Sequence, residues 1–262
     1  VRLSYHEDLK SDQWQPLTGD GFSRLNLSEK SQGRFLKHLA YLKKVHQFQG
    51  NFLVESGNNF PSDCGLASSA SSFAALTMAA TEALNTLKKN QDIQTPLEVA
   101  ELSRVGSGSS CRSFFGPWAL WFSEGVRPLE FPLGAVLHQV VIVEDAIKSV
   151  SSSEAHKRVT TSELFEGRPE RAEKRLAELL EAFKAGDWNR AYEISWAEFW
   201  DMHALFETSK PPFGYMTAGT LKVLRYLQDL WSNEKDGPIV TMDAGANVHL
   251  IYRSDQQELA NL

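Results

Sequence analysis

The sequence predicts an α+β fold. Helical and extended stretches alternate along 262 residues without the strict βαβα rhythm of a doubly wound parallel sheet. A short β-prone stretch, Phe52–Glu55, runs through a Gly/Pro/Ser turn into an Ala-rich helical stretch, and the chain closes on a hairpin around Asp243. The length suits one sizeable domain or two small ones, and no repeat or low-complexity segment interrupts it.

Taken in order, residues 1–9 alternate loosely as a strand, and Trp14-Gln15-Pro16 reads as the start of a connection. Ser28 is a good N-cap for a helix with Phe35, Leu36, Leu39, Leu42 and Val45 on one face, ended by Gly50. After the turn, Phe73, Thr77, Ala80 and Leu84 recur at helical spacing to about Leu87. Thr95-Pro96-Leu97-Glu98 is a capping box with proline at the first helical position, predicting a helix through Leu102. A loop, Gly106-Ser107-Gly108-Ser109-Ser110, leads to Arg112 amid Phe114, Phe115, Trp118 and Trp121, a partly desolvated setting in which a guanidinium fork holds a carboxylate, either a ligand's or a structural acid's.

Val136–Val143 is rich in β-branched residues and predicts a strand, followed by a serine loop, 149–153. Pro169 opens a helix striped by Ala172, Leu176, Leu179, Leu180 and Phe183 and closed by Gly186. Asp187 caps the next, whose aromatic run from Trp188 to Phe206 reads as a core face or subunit contact, with His203 a satisfied core histidine. Thr217–Leu230 predicts an amphipathic helix. The strands Ile239–Met242 and Val248–Tyr252 then flank Asp243-Ala244-Gly245-Ala246-Asn247, where Asp243 either closes its own turn or is aimed inward by the tight path at Gly245.

The segment 56–73 has the layout of an anion site. A helix starting near Ser68 has first-turn N–H groups without intrahelical partners, Gly65 lets backbone approach a ligand, and Ser68, Ser69, Ser71 and Ser72 supply hydroxyls. A serine-capped helix after a turn is the plain alternative. The net charge of −6 argues against a broad nucleic-acid or anionic-membrane surface, so an anionic substrate is met by local features. Cys64 and Cys111 make no metal or redox spacing, which predicts reduced thiols and a cytoplasmic protein, and no apolar run approaches the roughly 20 residues of a bilayer span.

Asn58-Asn59-Phe60-Pro61 followed by Gly65-Leu66-Ala67-Ser68-Ser69-Ala70-Ser71 resembles the phosphate loop of the galactokinase, homoserine kinase, mevalonate kinase and phosphomevalonate kinase (GHMP) superfamily, in the version found in diphosphomevalonate decarboxylases. It is not a Walker A motif, since no Gly-Lys-Ser/Thr follows. Arg104–Ser113 and Thr241–Asn247 extend the resemblance in order over nearly the whole chain.

The resemblance implies a two-domain GHMP-kinase-like fold, with a ribosomal-protein-domain-like part at 1–133 for ATP and a ferredoxin-like part at 134–262 for substrate, and the active site between them. It implies a lyase of the mevalonate pathway of isoprenoid and lipid biosynthesis: ATP with Mg2+ phosphorylates the C3 hydroxyl of mevalonate 5-diphosphate, and phosphate and carbon dioxide leave to give isopentenyl diphosphate. Pro61, Gly65, Leu66, Ala67, Ser68, Ser69 and Ser71 would hold ATP, with Ser68 also on the metal. Ser107, Gly108, Ser109, Arg112 and Ser152 would contact substrate, Arg112 at the carboxylate, and Asp243 would act at the C3 hydroxyl. Where many relatives follow the serine at position 152 with a basic residue that binds the substrate diphosphate, Ser153 stands here, with Lys157 and Arg158 as candidate replacements. Relatives have proline where Ala246 stands.

Relatives also carry an N-terminal Ala-Asn-Ile-Ala-Leu-Ile-Lys-Tyr-like segment that these residues lack, and Val1 is expected to follow it. A homodimer is the expected assembly, with no nucleic-acid or membrane partner. A mevalonate 3-kinase, a phosphomevalonate decarboxylase or a non-catalytic nucleotide-binding module are the alternatives.

Overall fold

The computed structural model describes residues 1–19, 21, 27–60, 66–89, 94–144, 146 and 148–261. It divides into two compact units: Val1–Ser62 with Ala67–Leu129, and Asp63–Leu66 with Glu130–Leu262.

In the first unit, β1 (Arg2–His6) and β2 (Gln13–Pro16) flank a central β3 (Asn51–Ser56), the first pairing antiparallel and the second parallel. Gln13–Pro16 is therefore a strand, not a connection. It lies at the sheet edge and Pro16 is its last residue, where a missing N–H costs little. Helix α1 (Glu29–Val45) is capped by Ser28, whose hydroxyl accepts from the Ser31 N–H. It ends at Val45, short of Gly50, because Gln47 takes a left-handed turn at φ 50°. Val45 is exposed, and His38 takes a place on the buried face beside Phe35, Leu39 and Leu42. Gly50 instead makes room for aromatic rings, since a Cβ there would lie 2.8 Å from the Tyr5 ring and 2.9 Å from Phe48.

Alternate residues of β3, Phe52 and Val54, meet α1 and α2 (Ser68–Lys88) in one core with Phe73, Leu76, Ala80 and Leu84. Helix α3 (Pro96–Arg104) carries the full capping box. The Glu98 N–H donates to Thr95 Oγ1, and Glu98 accepts from the Thr95 N–H at 2.7 Å. The Gly/Ser stretch beyond it is not a plain loop, since Gly108–Phe114 winds as a 3-10 turn. A hairpin that the sequence reading does not anticipate follows, β4 (Trp118–Phe122) with β5 (Gly125–Leu129).

In the second unit β6 (Val136–Val141) stops two residues early, because the Asn247 side chain takes the Val143 and Glu144 N–H groups out of the ladder. The serine run is not all loop: Ser151 caps α4 (Ser152–Arg158). Helix α5 (Arg168–Ala185) ends at left-handed Gly186, and Asp187 caps α6 (Trp188–Glu207). Arg168, Arg171 and Arg175, at helical spacing, face Glu198 and Asp201 and bind α5 to α6.

Helix α7 (Ala218–Glu234), capped by Thr217, precedes the hairpin β7 (Ile239–Met242) and β8 (Val248–Arg253), and the short α8 (Gln257–Ala260) follows. The antiparallel sheet has the order β6-β8-β7. Phe199 of α6 and Leu224 and Leu227 of α7 pack on Val240, Met242, Val248, Leu250 and Tyr252, so the aromatic helix serves as a core face. Among the described residues no helix is long and apolar enough to cross a membrane.

Candidate active site

The expected phosphate loop is described from Leu66 onward; Pro61 and Gly65 lie outside the described residues. Ala67 is the N-cap of α2 in a left-handed conformation, φ 52° and ψ 29°, an arrangement that strains a residue with a Cβ. With alanine at the N-cap, no side chain at that position satisfies the first donors of the helix. The side chain of Ser71 donates backwards to the Ser68 carbonyl at 3.0 Å, and no acidic residue occupies the first turn. In α3, by contrast, Thr95 and Glu98 form a full capping box. Ser68 is 9% exposed, whereas Ala67 and Ser69 face solvent.

The 3-10 turn sorts the second motif into two faces. Ser110 and Cys111 are fully buried, with Ser110 Oγ bonded to Ser103 Oγ and donating to the Ser107 carbonyl at 2.6 Å. With three residues per turn, Ser109 and Arg112 eclipse each other on the outer side, beyond Ser107 and Gly108. Arg112 is exposed rather than desolvated, its guanidinium 5.9 Å from the Trp121 ring centroid. The aromatic run flanks it without covering it: Trp118 and Trp121 belong to β4, and Phe114 and Phe115 pack against Ala100, Cys111 and Val126. The turn seats on α2 through Gly106, where a Cβ would fall 2.2 Å from Phe73 and 2.9 Å from His38.

In the second unit Asp243 is exposed at the end of β7. Its own carbonyl accepts from the Gly245 N–H at 2.8 Å and from His203 Nε2 at 3.2 Å. Ala244 O accepts from Lys148 Nζ at 2.9 Å, and Ala246 O from Thr220 Oγ1 at 2.8 Å. Asn247 is 1% exposed, and besides accepting from β6's end it donates to the Glu144 carbonyl. The turn is thus suspended from four side chains while the Asp243 carboxylate faces out.

Lys148 also donates to Ser152 Oγ at 2.8 Å and lies 5.7 Å from the Tyr215 ring centroid. It ties the first residue of α4 to the Asp243 turn. The cation beside Ser152 is therefore four residues before it, not after it. Of the two expected replacements, Arg158 is held by Glu154 and stacks on Phe213, and Lys157 is exposed. A cavity of about 240 Å³ is lined here by Lys148, Ser149, Tyr215, Thr217, Gly245 and Ala246. Burial pushes the Tyr215 hydroxyl up to about 12, and it donates to the Val150 carbonyl. His203 is driven down to about 4 by burial, against the opposing pull of its bond to the Asp243 carbonyl. It is a neutral ring at ordinary pH.

Residues 13–126 match the profile of the diphosphomevalonate decarboxylase-like N-terminal domain, and residues 138–261 that of the mevalonate 5-diphosphate decarboxylase C-terminal domain. The chain belongs to the diphosphomevalonate decarboxylase family. A diphosphomevalonate decarboxylase from Debaryomyces hansenii is 29% identical over 231 residues, 82% of this chain and 57% of that protein. The chain spans just over half the length of the curated relatives it matches.

Among solved structures, a mevalonate diphosphate decarboxylase from Legionella pneumophila is 49% identical, with a TM-score of 0.92 over 99% of this chain and 82% of that one. MDDEF, solved in complex with MVAPP, AMPPCP and magnesium, is 28% identical with a TM-score of 0.83, over 99% of this chain and 78% of that one. The mixed helix-and-strand architecture in two units is that of mevalonate diphosphate decarboxylases. The sequence reading of this decarboxylase-family chain names Asp243 and Ser152 but not Lys148, which bonds Ser152 Oγ and the Ala244 carbonyl. That tie runs to a main-chain carbonyl, which leaves no spacing signature.

Proposed function

We propose that the chain catalyses the ATP-dependent decarboxylation of mevalonate 5-diphosphate to isopentenyl diphosphate, as a cytoplasmic homodimer. The observation that carries the reading is 49% identity to the Legionella decarboxylase across 99% of this chain. MDDEF, which binds MVAPP, AMPPCP and magnesium, supports the same substrates here.

The N-terminal part, to about residue 133, handles ATP. The start of α2, with no side-chain cap from Ala67, fits phosphate oxygens, with Leu66, Ala67, Ser68, Ser69 and Ser71 around them and Pro61 and Gly65 completing the loop. Among the described residues no group of three or more His, Cys, Asp or Glu side chains gathers to hold a metal. Mg2+ would come with the nucleotide phosphates, take Ser68 as its protein ligand and neutralise phosphate charge when bound.

Arg112, exposed and backed by Trp121, holds the substrate carboxylate, with Ser107, Gly108 and Ser109 orienting oxygens beside it. The second unit supplies Ser152 and Asp243. Hydroxide is a poor leaving group and phosphate a good one, so phosphorylation of the C3 hydroxyl lets the carboxylate's electrons expel it as carbon dioxide departs. An aliphatic hydroxyl is about as weak an acid as water, roughly pKa 16 against about 4 for aspartate, so Asp243 orients it and accepts its proton late, as the new P–O bond forms.

The test is to incubate purified protein with ATP, Mg2+ and, separately, mevalonate, its 5-phosphate and its 5-diphosphate, following ADP and carbon dioxide. Equal amounts of both products with the diphosphate alone are expected. ADP without carbon dioxide points to a 3-kinase, both products with the monophosphate to the other decarboxylase, and neither product with any form refutes catalysis.

A further inference from the structure

Among the donors that suspend the turn 243–247, His203 reaches the carbonyl of Asp243 itself from another element. The other three act farther along: Lys148 on Ala244, Thr220 on Ala246, and Asn247 through its own side chain. His203 lies on α6, 3% exposed, with the rings of Phe199, Phe206 and Tyr215 edge-on at 6.5, 5.1 and 6.3 Å. A carbonyl only accepts, so Nε2 carries the proton, and the aromatic packing fixes where it points.

The carbonyl belongs to the peptide plane that starts at Asp243 Cα, so holding it restricts the rotation about the Cα–C bond that sets the Cα–Cβ bond relative to that plane. The geometry points to His203 as a positioning residue for the Asp243 carboxylate, acting through the Asp243 main chain. The inference rests on the role given to Asp243 above. A neutral imidazole supplies this hydrogen bond without adding a further charge beside the carboxylate. The γ-turn bond from Gly245 cannot replace it, since that bond moves with the turn, whereas α6 is anchored in the core through Phe199.

The experiment compares His203→Leu, which removes the donor and keeps apolar bulk, with His203→Gln, whose amide nitrogen reaches close to the Nε2 position. Steady-state rates are measured with ATP, Mg2+ and mevalonate 5-diphosphate. A displacement of about 1 Å at a reacting group costs roughly 10²-fold, so kcat of His203→Leu is expected to fall by about that factor, with both KM values within about threefold and about tenfold of the rate regained in His203→Gln. His203→Asn, whose amide is too short to reach, is expected to show the same loss and takes the place of the leucine variant if that one does not fold.

Wild-type kcat in the folded leucine or asparagine variant overturns the inference. So does a loss confined to KM, or a glutamine variant as slow as leucine. Asp243→Ala, assayed alongside, separates the two levels. Turnover retained there withdraws the role of Asp243 and this inference with it, whereas an inactive Asp243→Ala beside a fully active His203→Leu overturns this inference alone.

Discussion

Gly106→Ala probes how the Arg112 turn is seated on α2. A Cβ at Gly106 would lie 2.2 Å from Phe73 Cδ1, 2.7 Å from its Cε1 and 2.9 Å from His38 Cγ. Carbon atoms rest about 3.5–4.0 Å apart, so something must move by roughly 1 Å or more. Phe73 cannot move alone. It is wedged edge-on between Phe35 and His38, with ring centroids 5.4 Å away in both cases, and His38 is tied to Thr77 at 2.8 Å.

The strain therefore falls on the turn, which can lift away from α2. Overpacking of this kind costs about 1–3 kcal/mol. A turn displaced by about 1 Å carries Ser109 and Arg112 with it, for a loss of roughly 10²-fold in kcat/KM. The assay is urea denaturation together with steady-state kinetics, with Gly33→Ala as a partner of opposite sign. Gly33 sits inside α1, and a methyl group added there would meet nothing within 4 Å, so alanine is expected to stabilise by about 0.5–1 kcal/mol. Wild-type stability and turnover in Gly106→Ala would refute the seating.

Acid is expected to destabilise the protein before its carboxylates titrate. His38 and His203 are each driven down to about 4 by burial, so between about pH 6.5 and 4 the unfolded chain binds protons that the native one refuses. Their contribution is complete above about pH 6.5 and is lost as pH falls through that window, at up to about 1.4 kcal/mol per pH unit for each histidine. Urea midpoints measured across the window for wild type and His203→Gln should converge as pH falls, and parallel curves would contradict this. Asn247→Ala strips two N–H groups and one carbonyl of their partners at the end of β6, for an expected loss of about 2–3 kcal/mol by equilibrium denaturation. Asn247→Asp keeps the acceptor but sets a buried carboxylate oxygen against the Glu144 carbonyl, so it should lose at least as much, and a smaller loss would show that the two accepted bonds dominate.

Much of this architecture is legible in the residues because the signals are local. Thr95 and Glu98 make their box with each other, Ser28, Asp187 and Thr217 cap the helices they precede, and Gly186 closes α5 with its own φ of 69°. The errors fall where a local signal is outvoted. Trp14-Gln15-Pro16 has too few residues and a proline, and becomes a strand because β3 offers an edge and Trp14 donates to Ser56 across it. The serines at 151–153 read as loop until one of them is seen to cap α4.

The site divides in the same way. Asp243, Arg112 and Ser152 stand in motifs, whereas the groups that hold the Asp243 turn, Lys148, Thr220 and His203, reach main-chain carbonyls from as far as 96 residues away. Such bonds constrain no side-chain pairing along the chain, so nothing in the order of residues announces them.

The account turns on a single carboxylate, and Asp243→Ala is the most direct trial of it. Turnover of mevalonate 5-diphosphate is expected to drop by roughly 10²–10³ or more while ATP binding, measured by titration calorimetry, is retained. Turnover within a few-fold of wild type would contradict the account and remove Asp243 from the reaction.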